Sequence, residues 1–303
     1  MGNQGWVYRD QVDRRHAGLT LLDYYSQRYR HTSSAEWQTR IELGQIHLNG
    51  QPAPPTTRLQ AGQQLTYHRP PWPEPEVPLK FETIYSDADL LIISKPAGLP
   101  VLPGGGFLEH TLLWQLQQQY PQETPVPIHR LGRGTSGLMI LAISGLAKSA
   151  LSQQMRDQHI RKTYRALVGG GEMPDRFTID YPIGKIPHPE LGYVYGATPT
   201  GRFAHSECQV LKRTPDRTLL AVTILTGRPH QIRIHLAAAG YPLLGDPLYI
   251  NGGIPRSFGA TPTDKVAVPG DCGYHLHAHH LAFAHPRTGE PLEFISPPPR
   301  ELS

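Results

Sequence analysis

The sequence has little of what marks a secreted, membrane-spanning or metal-thiolate protein. Only two of its 303 residues are cysteine, Cys208 and Cys272, and they stand far apart. That spacing argues against a thiolate metal site and fits free thiols in a reducing compartment. No stretch approaches the roughly 18 unbroken apolar residues that a membrane helix needs. The opening residues, MGNQGWVYRDQVDRR, lack the apolar core of a secretory leader. Trp6 stands where an N-myristoylation site carries Ser or Thr. A cytoplasmic location, with no membrane partner, is the resulting expectation.

Histidine, proline, glycine and arginine are plentiful. The chain carries 16 His, 31 Pro and 30 Gly, with a formal net charge of +4. This mildly basic balance permits nucleic-acid binding without demanding it. Arg clearly outnumbers Lys, and a guanidinium suits planar, paired contacts to phosphates and base edges. A chain of this length can bury a sizeable core in one large or two smaller domains. Half of the residues in RPPWPEPEVP, 69–78, are proline. That composition forms neither helix nor central strand and predicts a stiff linker. It divides a module over 1–68 from a larger domain over 79–303.

In the first part, residues 1 to about 15 are expected to form an irregular arm. Leu22, Tyr25 and Tyr29 then fall at helical spacing. Ser33 followed by Glu36 reads as a capping box, with Trp37 and Ile41 on one face of the helix it starts and Gly44 at its end. Asn49-Gly50 signals a hairpin turn. Two short helices and a hairpin carry Arg28, Arg30, Arg40 and Arg58 on or near the surface. These arginines are candidate RNA contacts or merely solvated charges.

The larger domain centres on Ile128 to Ile143, IHRLGRGTSGLMILAI. Its Gly-rich first half reads as a cationic loop, with His129, Arg130 and Arg133, delivered onto a buried strand. Gly132, Gly134 and Gly137 are expected to adopt backbone angles other residues avoid and to let a ligand approach. The bland alternative is a solvated hairpin turn. Leu90 to Ser94 reads as a strand, and Thr111 to Tyr120 and Gly145 to Gln158 as helices. Arg161 to Val168 alternates like a strand, with Lys162, Tyr164 and Ala166 on one side. Tyr164 is an acid/base or stacking candidate, or an ordinary half-buried strand tyrosine. Residues 169 to 205 read as loops with short strands, and Leu219 to Leu225 as a strand. From Thr226 to Gly240, TGRPHQIRIHLAAAG predicts a helix with Pro229 in its first turn and a stripe of Ile232, Leu236 and Ala239. Arg228 falls near its start and Arg233 on the rim of the stripe. His275, His277 and His279 alternate, but no acidic or Cys ligand is interleaved. No metal is expected.

Two resemblances follow from these blocks. Ala35 to His68 resembles the alpha-L RNA-binding module. FETIYSDADLLIISKPAGLPV, HRLGRGTSGLMILA, RKTYRALV and TGRPHQIRIHLAAAGYPLLGDPLY, in this order over about Phe81 to Pro299, resemble the pseudouridine synthases of the RluA type. The resemblance implies an α+β fold: a mixed, mainly antiparallel sheet core with flanking helices, here behind a small α+β N-terminal module. It implies an enzyme that isomerises uridine in structured ribosomal or transfer RNA by base flipping, without a cofactor; a monomer is expected. By the same resemblance Arg130 displaces the base, Tyr164 packs on the uracil, and Arg233 pairs with the catalytic carboxylate. Arg28, Arg40, Arg133, Arg228 and His129 are the expected RNA contacts.

One departure stands out. The family loop reads HRLD, and the Asp is its essential carboxylate; here that position is Gly132. Glycine is neither nucleophile nor base, and Arg233 would be an uncompensated charge unless another group pairs with it. Three readings follow. A synthase could draw another carboxylate into the cleft, with Asp246 and Glu109 as candidates. The fold could serve RNA binding without catalysis. An RNA-independent assembly factor is the third, which the Arg-rich motifs disfavour.

Overall fold

A computed structural model describes residues 2–188, 191–250, 252–255 and 268–303. The chain divides into two units, residues 1–74 with 188–192 and residues 75–187 with 193–303.

The first unit contains β1 (Trp6–Gln11), α1 (Leu21–Arg28), α2 (Ser34–Glu42), β2 (Ile46–Leu48), β3 (Gln51–Pro52) and β4 (Gln64–Arg69). Its sheet runs in the order β1-β4-β2-β3. The Ser33 hydroxyl accepts from the Glu36 amide, and the Glu36 carboxylate accepts from the Ser33 amide. This is the predicted capping box, and it starts α2 where the sequence places it. Asn49 and Gly50 both take positive φ, 49° and 84°, between β2 and β3, as a tight hairpin requires. Leu21, Tyr24, Tyr25, Trp37, Ile41 and Ile46 share one core. The predicted stripe of α1 is displaced: Leu21 and Tyr24 are buried, whereas Leu22 and Tyr29 are half-buried. The expected irregular arm is also corrected. Trp6–Gln11 pairs along its whole length with β4. It is an edge strand exposed for most of its length, so no apolar alternation betrays it.

The second unit contains, in order, β5 (Glu82–Ser86), β6 (Leu90–Lys95), α3 (Leu112–Gln119), β7 (Val126–Pro127), β8 (Ser136–Ala142), α4 (Gly145–Arg156) and β9 (Arg161–Gly169). There follow β10 (Arg176–Ile179), β11 (Ile183–His188), β12 (Gly192–Ala197), β13 (Ser206–Arg213), β14 (Arg217–Ile224), α5 (Gln231–Ala238), β15 (Leu276–Ala284) and β16 (Pro291–Ile295). The large sheet has the order β10-β13-β14-β9-β15-β8-β6-β5, with β16 on β15 and β7 on β8. β8 and β15 run parallel; the other strand pairs of this sheet run antiparallel. The fold is therefore the mixed, mainly antiparallel α+β sheet expected.

Its centre explains the unbroken apolar runs. Leu91, Ile93, Met139 and Leu141 pack into one core. Their alternate neighbours Leu90, Ile92, Leu138 and Ile140 pack into another. Successive strand residues face opposite sides, so β6 and β8 are covered on both faces and need apolar residues at every position. Each such side chain contributes about 1.5–3 kcal/mol on burial. Gly137 sits where β8 meets β15, with φ +103°, and a Cβ there would overlap the Ala278 backbone. That close crossing fixes the end of β8 and so the loop before it.

Candidate functional site

The loop between β7 and β8 is held from beneath by Lys95. This lysine is 1% exposed, and its ammonium donates to the carbonyls of Pro96, Leu99 and Arg133 at 2.8, 2.9 and 3.2 Å. Burial lowers its pKa to about 7. The Gly98 amide also donates to the Arg133 carbonyl at 2.7 Å. The KPAG segment after β6 is thus the mount on which the glycine-rich loop rests.

Of the three loop glycines, only Gly137 takes a positive φ. Gly132 and Gly134 are small for another reason, which is Tyr274. A Cβ on Gly132 would lie 2.7 Å from the Tyr274 hydroxyl oxygen, and one on Gly134 would lie 2.9 Å from the same ring. Tyr274 is 5% exposed; its hydroxyl lies 3.3 Å from Thr135 Oγ1. The phenol occupies the space into which a residue-132 side chain would project.

α5 begins after a turn held by Gln231, whose Oε1 accepts from the Thr226 hydroxyl at 2.7 Å and the Arg228 amide at 3.0 Å. All residues from Gln231 to Ala237 are buried, so Arg233 lies inside the core and not on the rim of a stripe. It donates through Nε and Nη2 to the two oxygens of Asp246, both at 2.7 Å. Nη1 donates to the Pro269 carbonyl at 3.0 Å. The guanidinium also lies 4.2 Å from the Tyr274 ring centre and 5.0 Å from that of Tyr249. Arg233 thus has its carboxylate partner without any group at position 132.

These elements enclose a cavity of about 1120 Å³. His129, Arg130, Gly132, Arg133, Tyr164, Arg228 and Arg233 all line it, so most of the residues singled out in the sequence converge. Arg156, Lys162 and Tyr274, which were not assigned site roles, line it too. Arg130 is exposed. Arg133 donates to the Gly270 carbonyl at 2.8 Å, and Arg228 to that of Phe203 at 2.8 Å. Among the described residues lining the cavity there is no Asp or Glu.

The two candidate replacement carboxylates are accordingly corrected. The Asp246 side chain is 0% exposed, and besides Arg233 it accepts from the Leu248 and Tyr249 amides. It has no oxygen to offer a substrate. Glu109 is not among the residues lining the cavity. Arg28 and Arg40 belong to the first unit. Arg28 is paired with Asp10 at 3.0 Å, and the Arg40 guanidinium lies 4.7 Å from the Trp37 ring centre. Two of the alternating histidines are tied to the Ser296 carbonyl: His277, also hydrogen-bonded to Ser136 Oγ at 2.8 Å, reaches it at 3.2 Å and His279 at 2.8 Å.

The phenol of Tyr164 is pushed well above its usual pKa by burial, so it is a neutral group at physiological pH and no resident base. Burial, with Lys162 adding a repulsive charge, lowers His129 to about 3. Its Nε2 accepts from the Ile140 amide, which fits a neutral ring. Burial, then Arg233, lowers His230 to about 4. Both imidazoles bind protons less readily folded than unfolded. Stability from them is therefore full above about pH 6.5 and is lost as pH falls toward 4. Urea unfolding should show a lower midpoint at pH 5 than at pH 7, by up to about 2 kcal/mol per histidine. A midpoint unchanged between those values would contradict the burial of these rings.

A family model described as RNA pseudouridylate synthase matches residues 89–238. The chain is 51% identical over 282 residues to an uncharacterised RNA pseudouridine synthase of Synechocystis sp., covering 93% of this chain and 95% of that one. It is 39% identical over 328 residues to RNA pseudouridine synthase 5 of Arabidopsis thaliana, covering 92% and 88%. It is 33% identical over 274 residues to ribosomal large subunit pseudouridine synthase D of Neisseria meningitidis, covering 86% and 71%. Human RNA pseudouridylate synthase domain containing 1 shares the fold, with a TM-score of 0.56 at 23% identity over 74% of this chain and 86% of that one. The sheet, the motif-bearing loops and these relatives agree, and the chain belongs to the RNA pseudouridine synthase family.

Proposed function

We propose that the protein takes a uridine of structured ribosomal or transfer RNA into this cleft and isomerises it to pseudouridine, as a cytoplasmic monomer without a cofactor. One observation carries the reading: Arg130, Tyr164 and Arg233 meet in a single cationic cavity. A base buried in folded RNA must be extruded before chemistry on it can begin. In this reading exposed Arg130 enters the vacated position, and the base lies on the Tyr164 ring. The surrounding arginines receive the phosphates. Arg233, neutralised by Asp246, acts by positioning Tyr274 and not by holding a substrate charge.

A second reading is RNA binding without isomerisation. It is favoured by the absence of Asp and Glu among the described residues lining the cavity. Isomerisation must break the bond from the uracil nitrogen to the ribose and rejoin the base through carbon. The family's carboxylate performs that attack, and position 132 has none.

Incubation with a bulk RNA mixture, followed by carbodiimide labelling, separates the two. The synthase reading expects newly labelled uridines. Salt-sensitive binding with no conversion in any RNA tested would select the second reading. Under either reading Tyr164→Ala should weaken RNA binding roughly tenfold or more, since stacking on an aromatic is worth about 1–3 kcal/mol per base. Tyr164→Phe should bind nearly as wild type; an equal loss in both variants would rule out a stacking role.

A further inference from the structure

β9 carries a cation that this reading leaves unused. Lys162 is 5% exposed and lines the cavity together with Tyr164. Among the described residues its ammonium has one hydrogen-bond acceptor, the Met155 thioether sulfur at 3.5 Å, and His129 nearby feels its charge. A thioether is a weak acceptor, whereas an ammonium has three protons to donate. Burying such a group without an anion or good acceptors is costly, and burial holds its pKa below the usual lysine value. Lys95 is the useful contrast. It is just as deeply buried, and the fold surrounds it with three carbonyl oxygens. Where lysine serves the structure of this protein, its donors are satisfied. At Lys162 they are left open toward the cleft.

Residues two apart in a strand face the same side, about 7 Å apart along it. A flat base lying on the Tyr164 ring therefore brings its edge within reach of the long Lys162 side chain. Phosphates are better served nearer solvent, where Arg130 and Arg156 are exposed. We propose that the Lys162 ammonium donates to a carbonyl oxygen of the extruded uracil, making it a base-recognition residue of the cleft. This rests on the reading that the cleft accepts a nucleotide from RNA.

The test compares wild type with Lys162→Met for binding a short oligouridylate and the same oligomer with one abasic position, each over a series of salt concentrations. A hydrogen bond from a charged donor predicts a loss of roughly 10- to 100-fold on the oligouridylate. The abasic oligomer should bind both proteins equally, and the salt slope should not change. Lys162→Met should unfold at the same or higher urea concentration, because it removes an unpaired buried charge. Equal losses on both oligomers with a shallower salt slope would mean a phosphate contact and overturn the proposal. So would unchanged binding of the oligouridylate by Lys162→Met when wild type binds it well, and the reading of the cleft would then survive. Failure of wild type to bind either oligomer would overturn the proposal, and the reading of the cleft falls separately if structured RNA also fails to bind.

Discussion

Gly132→Asp, which restores the family's carboxylate, is expected to destabilise the protein and not to raise conversion above the wild-type level by itself. The new Cβ would stand 2.7 Å from the Tyr274 hydroxyl oxygen, closer than packed atoms tolerate. Tyr274 cannot easily withdraw. It is held under Arg233, its hydroxyl lies beside Thr135, and Gly134 is pressed against its ring. Overpacking of this kind costs about 1–3 kcal/mol, before the carboxylate's own desolvation is added. Thermal unfolding should show the loss directly. Adding Tyr274→Ala to Gly132→Asp opens the space, and pseudouridine formation should then rise at least tenfold over Gly132→Asp alone. A Gly132→Asp protein that unfolds like wild type would show that Tyr274 does not fill the position.

Arg233→Met is expected to have the largest effect on stability. Asp246 would be left with a fully buried side chain and no cation, and removing one partner of a buried pair costs about 3–5 kcal/mol. Two backbone amides still reach Asp246, which keeps the loss toward the lower end. Arg233→Met combined with Asp246→Leu should recover much of it, because no unpaired charge remains. Urea unfolding of the two single variants and the double gives the coupling. A loss below about 1 kcal/mol for Arg233→Met would mean that the pair does not anchor α5.

The core of the larger unit could be read from the chain because its signals are local. Apolar runs bounded by turns became β6 and β8; in the smaller unit a Ser-x-x-Glu box likewise became the start of α2. The convergence of Arg130, Tyr164 and Arg233 was accessible only through family motifs, since 103 positions separate the outer two. What stayed hidden depends on long-range contact. Asp246 lies thirteen positions from Arg233, and nothing in its GDPLY segment reveals that both its oxygens are taken. Tyr274 lies 142 positions from Gly132, so the glycine reads as flexibility when its cause is a neighbour's bulk. Lys162 was placed on the correct strand face, but whether a buried lysine has acceptors is a property of the folded chain. β1 was missed because an exposed edge strand carries no alternation of its own.

The central claim is that the cavity of the second unit receives an extruded uridine. Photocrosslinking tests it without requiring catalysis. RNA carrying 5-iodouridine is bound to the wild-type protein and irradiated, and the crosslinked peptides are identified by mass spectrometry. The account predicts crosslinks on the segments carrying His129 to Arg133 and Lys162 to Tyr164. Crosslinks confined to residues outside this cavity would contradict it.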